Sequence, residues 1–399
     1  MSITTHNTTA DMTFPTERFS GLETPFYYYD TALLSSTLQA IRTAIHEHPA
    51  FHVHYAIKAN ANPRILRLIA EGGDFGADCV SGGEIEAATA AGFHATDVVF
   101  AGVGKSDREI RLALSKGIDS FNVESLPELE VINELALECG KKARVCFRIN
   151  PNVDAHTHAK ITTGLNENKF GIAMDDLLTA VRHAEGLKGV QYVGLHFHIG
   201  SQILDFTVYE HLCQRINNLQ DTLEHEGITT SIINVGGGLG IDYANPDKAP
   251  IPAFADYFNV FATHLKLRDG QRVYFELGRS VVAQCGTLVA RTLYVKHGHS
   301  RKFLIVDAGF TELIRPALYD AHHFTENISA EARHETETDT YDVVGPICES
   351  SDVFSKDERL PLSRRGDFIA FRSAGAYGEV MASTYNCRHL PESYFNDTL

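Results

Sequence analysis

A lysine stands near the end of the stretch FHVHYAIKANANP, residues 51–63. Read by twos, Phe51, Val53, Tyr55 and Ile57 fall on one face and His52, His54, Ala56 and Lys58 on the other, the alternation of a strand. Asn60, Asn62 and Pro63 then turn the chain. An ammonium is costly to bury without a partner, so a lysine closing a half-apolar strand calls for a chemical task. Other stretches carry groups that could share it. LHFHIGSQ holds His196, His198 and Ser201; NVGGGLG holds Gly236, Gly237 and Gly238; FELGRS holds Glu276, Gly278 and Arg279; GPICES sets Cys348 beside Glu349.

These residues need a frame. From residue 51 onward, short apolar runs (HVHYAIK, FGADCVS, VVFAGV, SFNVES, ARVCFRIN, YVGLHFHIG, SIINVGGG, RVYFELG) alternate with amphipathic segments, several of which open at Ser or Asp and close at Gly as capped helices do. Eight strands alternating with helices over roughly 230 residues predict a (β/α)8 barrel. A doubly wound open sheet competes, but the strand count and the lack of GxGxxG after the first strand favour the barrel. Beyond about residue 280 the runs SVVAQCGTLVARTLYVKH, KFLIVDAG, TYDVVGPICE and GDFIAFRSAGAY are β-rich with no helical period between them, which predicts an antiparallel β domain. The early TPFYYYD, with no helix before it, joins that domain. The expected division is a mobile leader over 1–20, a barrel over 33–278, and a β-rich domain made of 21–32 plus 279–399. The sequence leaves open the conformation of the acidic stretch TENISAEARHETETDTYD, residues 325–342, with a mobile loop as one reading.

Active sites of such barrels lie at the C-terminal strand ends. Those ends carry Lys58, then Asp78, Cys79 and Ser81, then Arg148 and Asn150, then His196, His198, Gly200 and Ser201, and finally the glycine loop, Glu276, Gly278, Arg279 and Ser280. The glycine loop is no Walker motif, since no GK[ST] follows; placed after strand seven it suits a phosphate held by backbone N–H groups. A lysine, a phosphate cradle, a carboxylate and an imidazole face together fit pyridoxal 5'-phosphate: Lys58 for a Schiff base, Glu276 for the pyridine nitrogen, His198 stacked on the ring. His196 and His198, at i and i+2, have no nearby acidic partner that would make a metal site, and no metal is expected. His322 and His323 read as structural or substrate-loop residues; His156 and His158 lie in a loop and take no role.

Composition narrows the rest. The net charge of −16 without any Lys/Arg block disfavours nucleic acid as partner. Seven cysteines, an odd number with no CxxC, argue against a disulfide framework or structural zinc and for a reducing cytoplasm. No apolar run is long enough to span a bilayer, and the polar, Thr-rich N-terminus lacks the apolar core of a signal peptide.

The motifs HYAIKAN, HFHIGSQI, NVGGGLGIDY, FELGRS, IRPALYDAHH, VGPICESSDVF and GAYGEVMASTYN, in that order, resemble the diaminopimelate decarboxylases, in the alanine-racemase-like class of pyridoxal-phosphate enzymes, over nearly the whole chain. The resemblance implies Lys58 as the Schiff-base lysine, His198 stacked on the ring, Ser201 and Gly236, Gly237 and Gly238 at the phosphate with Gly278 and Arg279 nearby, and Glu276 on the ring nitrogen. It further implies Arg279, Arg315 and Tyr319 at substrate carboxylate, Glu349 at the distal ammonium, Tyr377 at phosphate and substrate, and Cys348 as proton donor. Cys348 and Glu349 would come from a second subunit, making a homodimer with shared sites and a small diamino dicarboxylic acid as substrate. Arginines together with a carboxylate suit a substrate end bearing both carboxylate and ammonium. Two departures occur: Leu277 stands where the family usually has Pro, and STYN, with Thr384, replaces SNYN; neither removes a reacting group. The alternatives are a related decarboxylase of a basic amino acid or carboxynorspermidine, a racemase (disfavoured because Glu276 stands where racemases of this class place an arginine), and a catalytically silent relative, disfavoured by the presence of Lys58 and Cys348.

Overall fold

The computed structural model describes residues 14–151 and 169–399; His156, His158 and the first thirteen residues lie outside the described residues. The chain divides into two compact units. One comprises Thr37–Ile241 and Ala253–Val281; the other comprises the chain up to Ser36, Asp242–Pro252 and Val282–Leu399.

The first unit is a closed eight-stranded parallel barrel. Its strands, in order, are Phe51–Ala56, Gly76–Cys79, Val98–Phe100, Ser120–Val123, Ala143–Asn150, Val190–His196, Ile232–Asn234 and Arg272–Leu277. Each pairs in parallel with its sequential neighbour, and the eighth returns to the first, with Phe275 opposite Val53 and Glu276 opposite His54. Helices cross between them, and their caps explain their ends. Ser81 accepts the Glu84 N–H at the start of Gly82–Ala91, and that helix stops at Gly92 with φ 111°. Ser106 and Glu109 form a reciprocal capping box at Asp107–Lys116, which stops at Gly117 with φ 72°.

The barrel interior is filled by side chains. Val99, Cys146, Val193, Ile232 and Tyr274, from five different strands, form one buried cluster. His54 belongs to this interior: it is buried, its ring lies 4.4 Å from that of Tyr274, and a Cβ on Gly76 would stand 2.4 Å from its Cδ2. The alternation in FHVHYAIK thus does not separate a buried face from a wet one. Apart from His52, exposed near its start, the first strand is buried on both sides because helices cover one face and the barrel closes over the other.

The second unit is a mixed, mostly antiparallel sheet of eight strands. Phe26–Tyr29 lies antiparallel to Gly286–His297 and parallel to Glu392–Phe395. Its core includes Phe19, Phe26, Tyr28, Val289, Ile328, Phe368 and Ala370. The segment read as a leader therefore ends in structure: Thr16–Phe19 forms a helical turn with Phe19 fully buried. The conformation of residues 325–342, left open by the sequence, is ordered rather than a mobile loop. Thr325–Asn327 is a strand, Ile328–Ala332 a short helix, and Thr338–Val344 a strand paired with Val353–Pro361 and Lys302–Val306. The acidic residues mask the apolar ones that fix it: Ile328 and Ala330 are buried, and Asn327 caps the helix by accepting the Ala330 N–H at 2.8 Å. This helix and Arg315–Tyr319 also correct the expectation that no helix interrupts the β domain. All seven cysteines are unpaired. Among the described residues no helix is long and apolar enough to cross a membrane, and no His/Cys/Asp/Glu group of three or more is placed to hold a metal ion.

Candidate active site

Lys58 sits two residues past its strand. The strand ends at Ala56, and Ile57–Ala59 make a single 3-10 turn before Asn62 caps the helix Pro63–Ala70. The Tyr55 hydroxyl donates to the Asn60 carbonyl at 3.0 Å, which holds that turn against the strand. The Lys58 ammonium, half-buried, donates to Asp78 Oδ2 at 2.7 Å, from the end of the second strand. Asp78 is fully buried. Burial pushes its carboxyl above the usual carboxylate range and the Glu276 charge adds to this, while Lys58 pulls it back. Gly278 makes the turn possible from the other side: a Cβ there would meet Ala59 Cβ at 2.9 Å.

Glu276, near the end of the eighth strand, is buried and surrounded by donors. Asn122 Nδ2 and Asn234 Nδ2 both donate to Oε1, at 3.1 and 2.7 Å, and His196 Nε2 lies 3.1 Å from Oε2. Burial alone would raise this carboxyl. The adjoining His196, with Lys58 and His198, outweighs it and holds Glu276 well below the usual carboxylate range. An ionised Glu276 only accepts, so His196 Nε2–H is the donor.

The glycine loop passes close against the backbone of Glu276. A Cβ on Gly236 would stand 2.2 Å from the Phe197 carbonyl oxygen, one on Gly237 1.9 Å from the Glu276 carbonyl oxygen, and one on Gly238 2.8 Å from that of Gly200. Gly236 and Gly238 also have φ of 72° and 109°, where side chains are strained. The Gly236 N–H is given to Asn234 Oδ1 at 2.9 Å, and the Gly237 N–H approaches His198 Nδ1 at 3.4 Å. His198 is half-buried; desolvation first, then the Arg148 and Lys58 cations, push its imidazole down to about 3, so it presents a neutral ring. Arg279 Nη2 donates to Ser201 Oγ at 3.0 Å. Arg148 does not face an open cleft: it pairs at 2.8 Å with Glu124, whose other oxygen accepts the Gly171 N–H.

Lys58, His198, Ser201, Gly236, Gly237, Gly238, Glu276, Gly278 and Arg279 thus share one barrel rim. Arg315, Tyr319, Cys348, Glu349 and Tyr377 belong to the β-rich unit. There Arg315 is buried, donates to His323 Nε2 at 2.8 Å, and holds its guanidinium 4.7 Å from the centre of the Tyr243 ring. His323 Nδ1 in turn donates to the Arg372 carbonyl at 2.8 Å. Tyr319, half-buried, is the last residue of the same short helix. Cys348 and Glu349 are exposed; the Cys348 N–H is 3.4 Å from Asn386 Oδ1, and the Tyr385 hydroxyl donates to Glu349 at 2.8 Å. Tyr377 is half-buried with φ 56°.

Asn122 and Asn234 were not among the residues singled out from the sequence, although both interrupt apolar runs, in SFNV and SIINV. The rim suits a phosphorylated aldehyde with a basic ring nitrogen. It offers an amine, a carboxylate held ionised, a neutral imidazole, and a loop closed to side chains. The buried atoms Asp78 Oδ1, Asn122 Oδ1 and His196 Nδ1 find no hydrogen-bond partner among the described residues.

Comparison with known proteins agrees with this chemistry. Residues 34–283 match the family described as "Pyridoxal-dependent decarboxylase, pyridoxal binding domain". The chain is 59% identical to a diaminopimelate decarboxylase of Bacteroides thetaiotaomicron, over 97% of this chain and 99% of that one. It is 39% identical to one of Aquifex aeolicus, over 92% and 84%. Its structure is similar to that of diaminopimelate decarboxylase from Helicobacter pylori complexed with L-lysine, with a TM-score of 0.88, 40% identity, and 95% and 93% of the two chains covered.

Proposed function

The chain belongs to the diaminopimelate decarboxylases, among the pyridoxal-dependent decarboxylases, and from that membership we propose that it converts meso-diaminopimelate to L-lysine and carbon dioxide, using pyridoxal 5'-phosphate. The observation that carries the reading is the rim itself: an amine on Lys58, an ionised Glu276 holding three hydrogen bonds, and, against the Glu276 backbone, a glycine loop that admits no side chain.

When bound, the cofactor supplies an aldehyde for covalent attachment and a protonated ring that accepts electrons from the bond to the departing carboxylate. Lys58 is the residue that holds it covalently, the loop from Gly236 to Gly238 with Ser201, Arg279 and Tyr377 receives its phosphate, Glu276 takes its ring nitrogen, and the neutral His198 ring lies against its face. A carboxylate with three donors stays ionised through turnover and keeps that nitrogen protonated by charge. Asp78 keeps the Lys58 amine near the rim whenever it is unattached. Arg279, Arg315 and Tyr319 bind substrate carboxylate, where the planar guanidinium fork matches the anion. Arg315 is suited to this because His323 and the Tyr243 face fix its plane. Glu349 takes the distal ammonium, oriented by Tyr385. Cys348 returns a proton from Sγ to the carbon that has lost its carboxylate. Exposed Cys348 and Glu349 serve the site of a second copy in a homodimer, and the working compartment is the cytoplasm.

The test is carbon dioxide release from meso-diaminopimelate by the purified protein with added cofactor, beside ornithine, arginine and carboxynorspermidine. Release from diaminopimelate alone, lost in Lys58→Ala, is expected. Release only from another substrate would overturn the assignment of Arg279, Arg315 and Glu349 to the distal end while leaving the cofactor chemistry intact.

A further inference from the structure

The carboxylate and the phosphate loop are joined through one side chain. Asn234 is the last residue of the seventh strand and fully buried. Its Nδ2 donates to Glu276 Oε1 at 2.7 Å, and its Oδ1 accepts the Gly236 N–H at 2.9 Å. The orientation of the amide is unambiguous, because an ionised carboxylate only accepts and a backbone N–H only donates. Accepting the N–H two residues ahead is the ordinary local habit of asparagine. Donating at the same time to a buried charge 42 residues away is not local, and a bond to an ionised partner is the stronger kind. Displacing the loop therefore pulls on the carboxylate, and the reverse.

We propose that Asn234 is a positioning residue that sets the distance between the ring-nitrogen carboxylate Glu276 and the phosphate loop at Gly236, so that the two ends of the cofactor are gripped in one register. The inference rests on the reading of Glu276 and the glycine loop given above. Asn122 is the weaker brace: it donates to the same Oε1 at 3.1 Å but makes no bond to the loop. The titratable groups around this carboxylate are His196, Lys58, His198 and Asp78, with His54, Cys146 and Tyr257 also within reach of its charge.

Two substitutions separate the halves of the bridge. Asn234→Leu removes both bonds. Asn234→Asp keeps an acceptor for Gly236 and replaces the donor with a second carboxylate oxygen. Two carboxylates this close do not both ionise, so Asn234→Asp can donate to Glu276 only while it holds a proton. The measurements are the dissociation constant of pyridoxal 5'-phosphate and the absorption spectrum of the bound cofactor across pH, with phosphate-free pyridoxal as the second ligand and circular dichroism as the check on folding. Expected for Asn234→Leu is about a tenfold to hundredfold weaker affinity at every pH, as for loss of a bond to a charged group. The advantage of the phosphorylated ligand over pyridoxal should shrink in the same variant. Asn234→Asp should bind near wild type in acid and weaken with rising pH, a limb the wild type lacks. If Asn234→Leu does not fold, Asn234→Asp alone carries the test. Folded variants with wild-type affinity, spectrum and pH profile would overturn the inference. Glu276→Gln is measured alongside: if it leaves spectrum and affinity unchanged, the reading of Glu276 is what has failed, not the bridge.

Discussion

Gly237 is where the loop comes nearest to the strand carrying Glu276, and Gly237→Ala tests whether that closeness is what makes the cofactor site. The added Cβ would lie 1.9 Å from the Glu276 carbonyl oxygen, whereas real contacts keep at least 3.0 Å, so backbone must move by about 1.1 Å. Neither side is a flexible side chain: the obstacle is a strand inside a closed barrel, and the loop is tied to it by the Glu276 N–H to Gly236 carbonyl bond of 2.8 Å. Breaking that bond and straining the loop costs about 2–3 kcal/mol, a drop in Tm of roughly 4–12 °C for a domain of this size. The same movement misplaces the loop amides by more than a hydrogen bond tolerates. The loss of one or two charge-assisted contacts to phosphate weakens cofactor affinity by about a hundredfold. The assay is absorbance titration of cofactor-free protein with pyridoxal 5'-phosphate, paired with thermal unfolding. Gly186→Ala, with nothing within 4 Å of the new Cβ, is the control. If Gly237→Ala binds cofactor within threefold of wild type at an unchanged Tm, the loop is neither as tight nor as involved with phosphate as argued here.

Three further outcomes follow from the same geometry. His54 is neutral in the barrel, lowered to about 4 chiefly by burial, while an unfolded histidine titrates near 6.5; acidification through that window protonates only the unfolded chain, so stability falls as pH drops. His54→Gln should remove about 1.4 kcal/mol per pH unit of that acid sensitivity between roughly pH 6.5 and 4, measured by denaturant unfolding at several pH values. Arg372, buried between Asp247 at 2.7 Å and Glu326 at 2.9 Å, should cost about 3 kcal/mol as Arg372→Met at neutral pH. Burial already pushes the Glu326 carboxyl up to about 7 although Arg372 lowers it; without the arginine it rises further, so the loss should grow as pH is raised above 7, where Glu326 must ionise, and a pH-independent loss would refute this. Mixing inactive Lys58→Ala with inactive Cys348→Ala, after subunit exchange, should restore about a quarter of wild-type turnover, because a two-fold dimer with shared sites regains one intact site in each mixed pair; no recovery would place the whole site within one chain.

What the sequence made legible follows from how local each signal is. Lys58 stood out because a strand pattern and an Asn-Pro turn bracket it within thirteen residues, and the helix cap at Asn62 confirms why the chain turns there. The glycine loop was legible for the same reason. The partners that give these groups their properties were not, since each lies far along the chain: Asn122 meets Glu276 across 154 residues and His196 meets it across 80. Only barrel closure brings them together. The segment at 325–342, which the sequence leaves open, is the converse case, where abundant charge conceals a few apolar residues that suffice to dock a short helix.

His54 and Glu276 lie opposite each other in neighbouring strands, and the contrast between them shows how one barrel sustains opposite charge states. Both are buried, and burial acts on both against the charged form. Glu276 is nevertheless ionised because two amides and an imidazole donate to it, whereas His54 packs against the Tyr274 ring and leaves Nδ1 without a partner among the described residues. Placement inside the barrel alone therefore decides nothing about charge; the neighbouring donors and cations do, His196 first. A decarboxylase needs a permanent anion at one point on its cofactor and neutral surroundings along the ring face. On the roles proposed for Glu276 and His198, His196, Lys58 and the two amides meet the first requirement and the neutral imidazole the second.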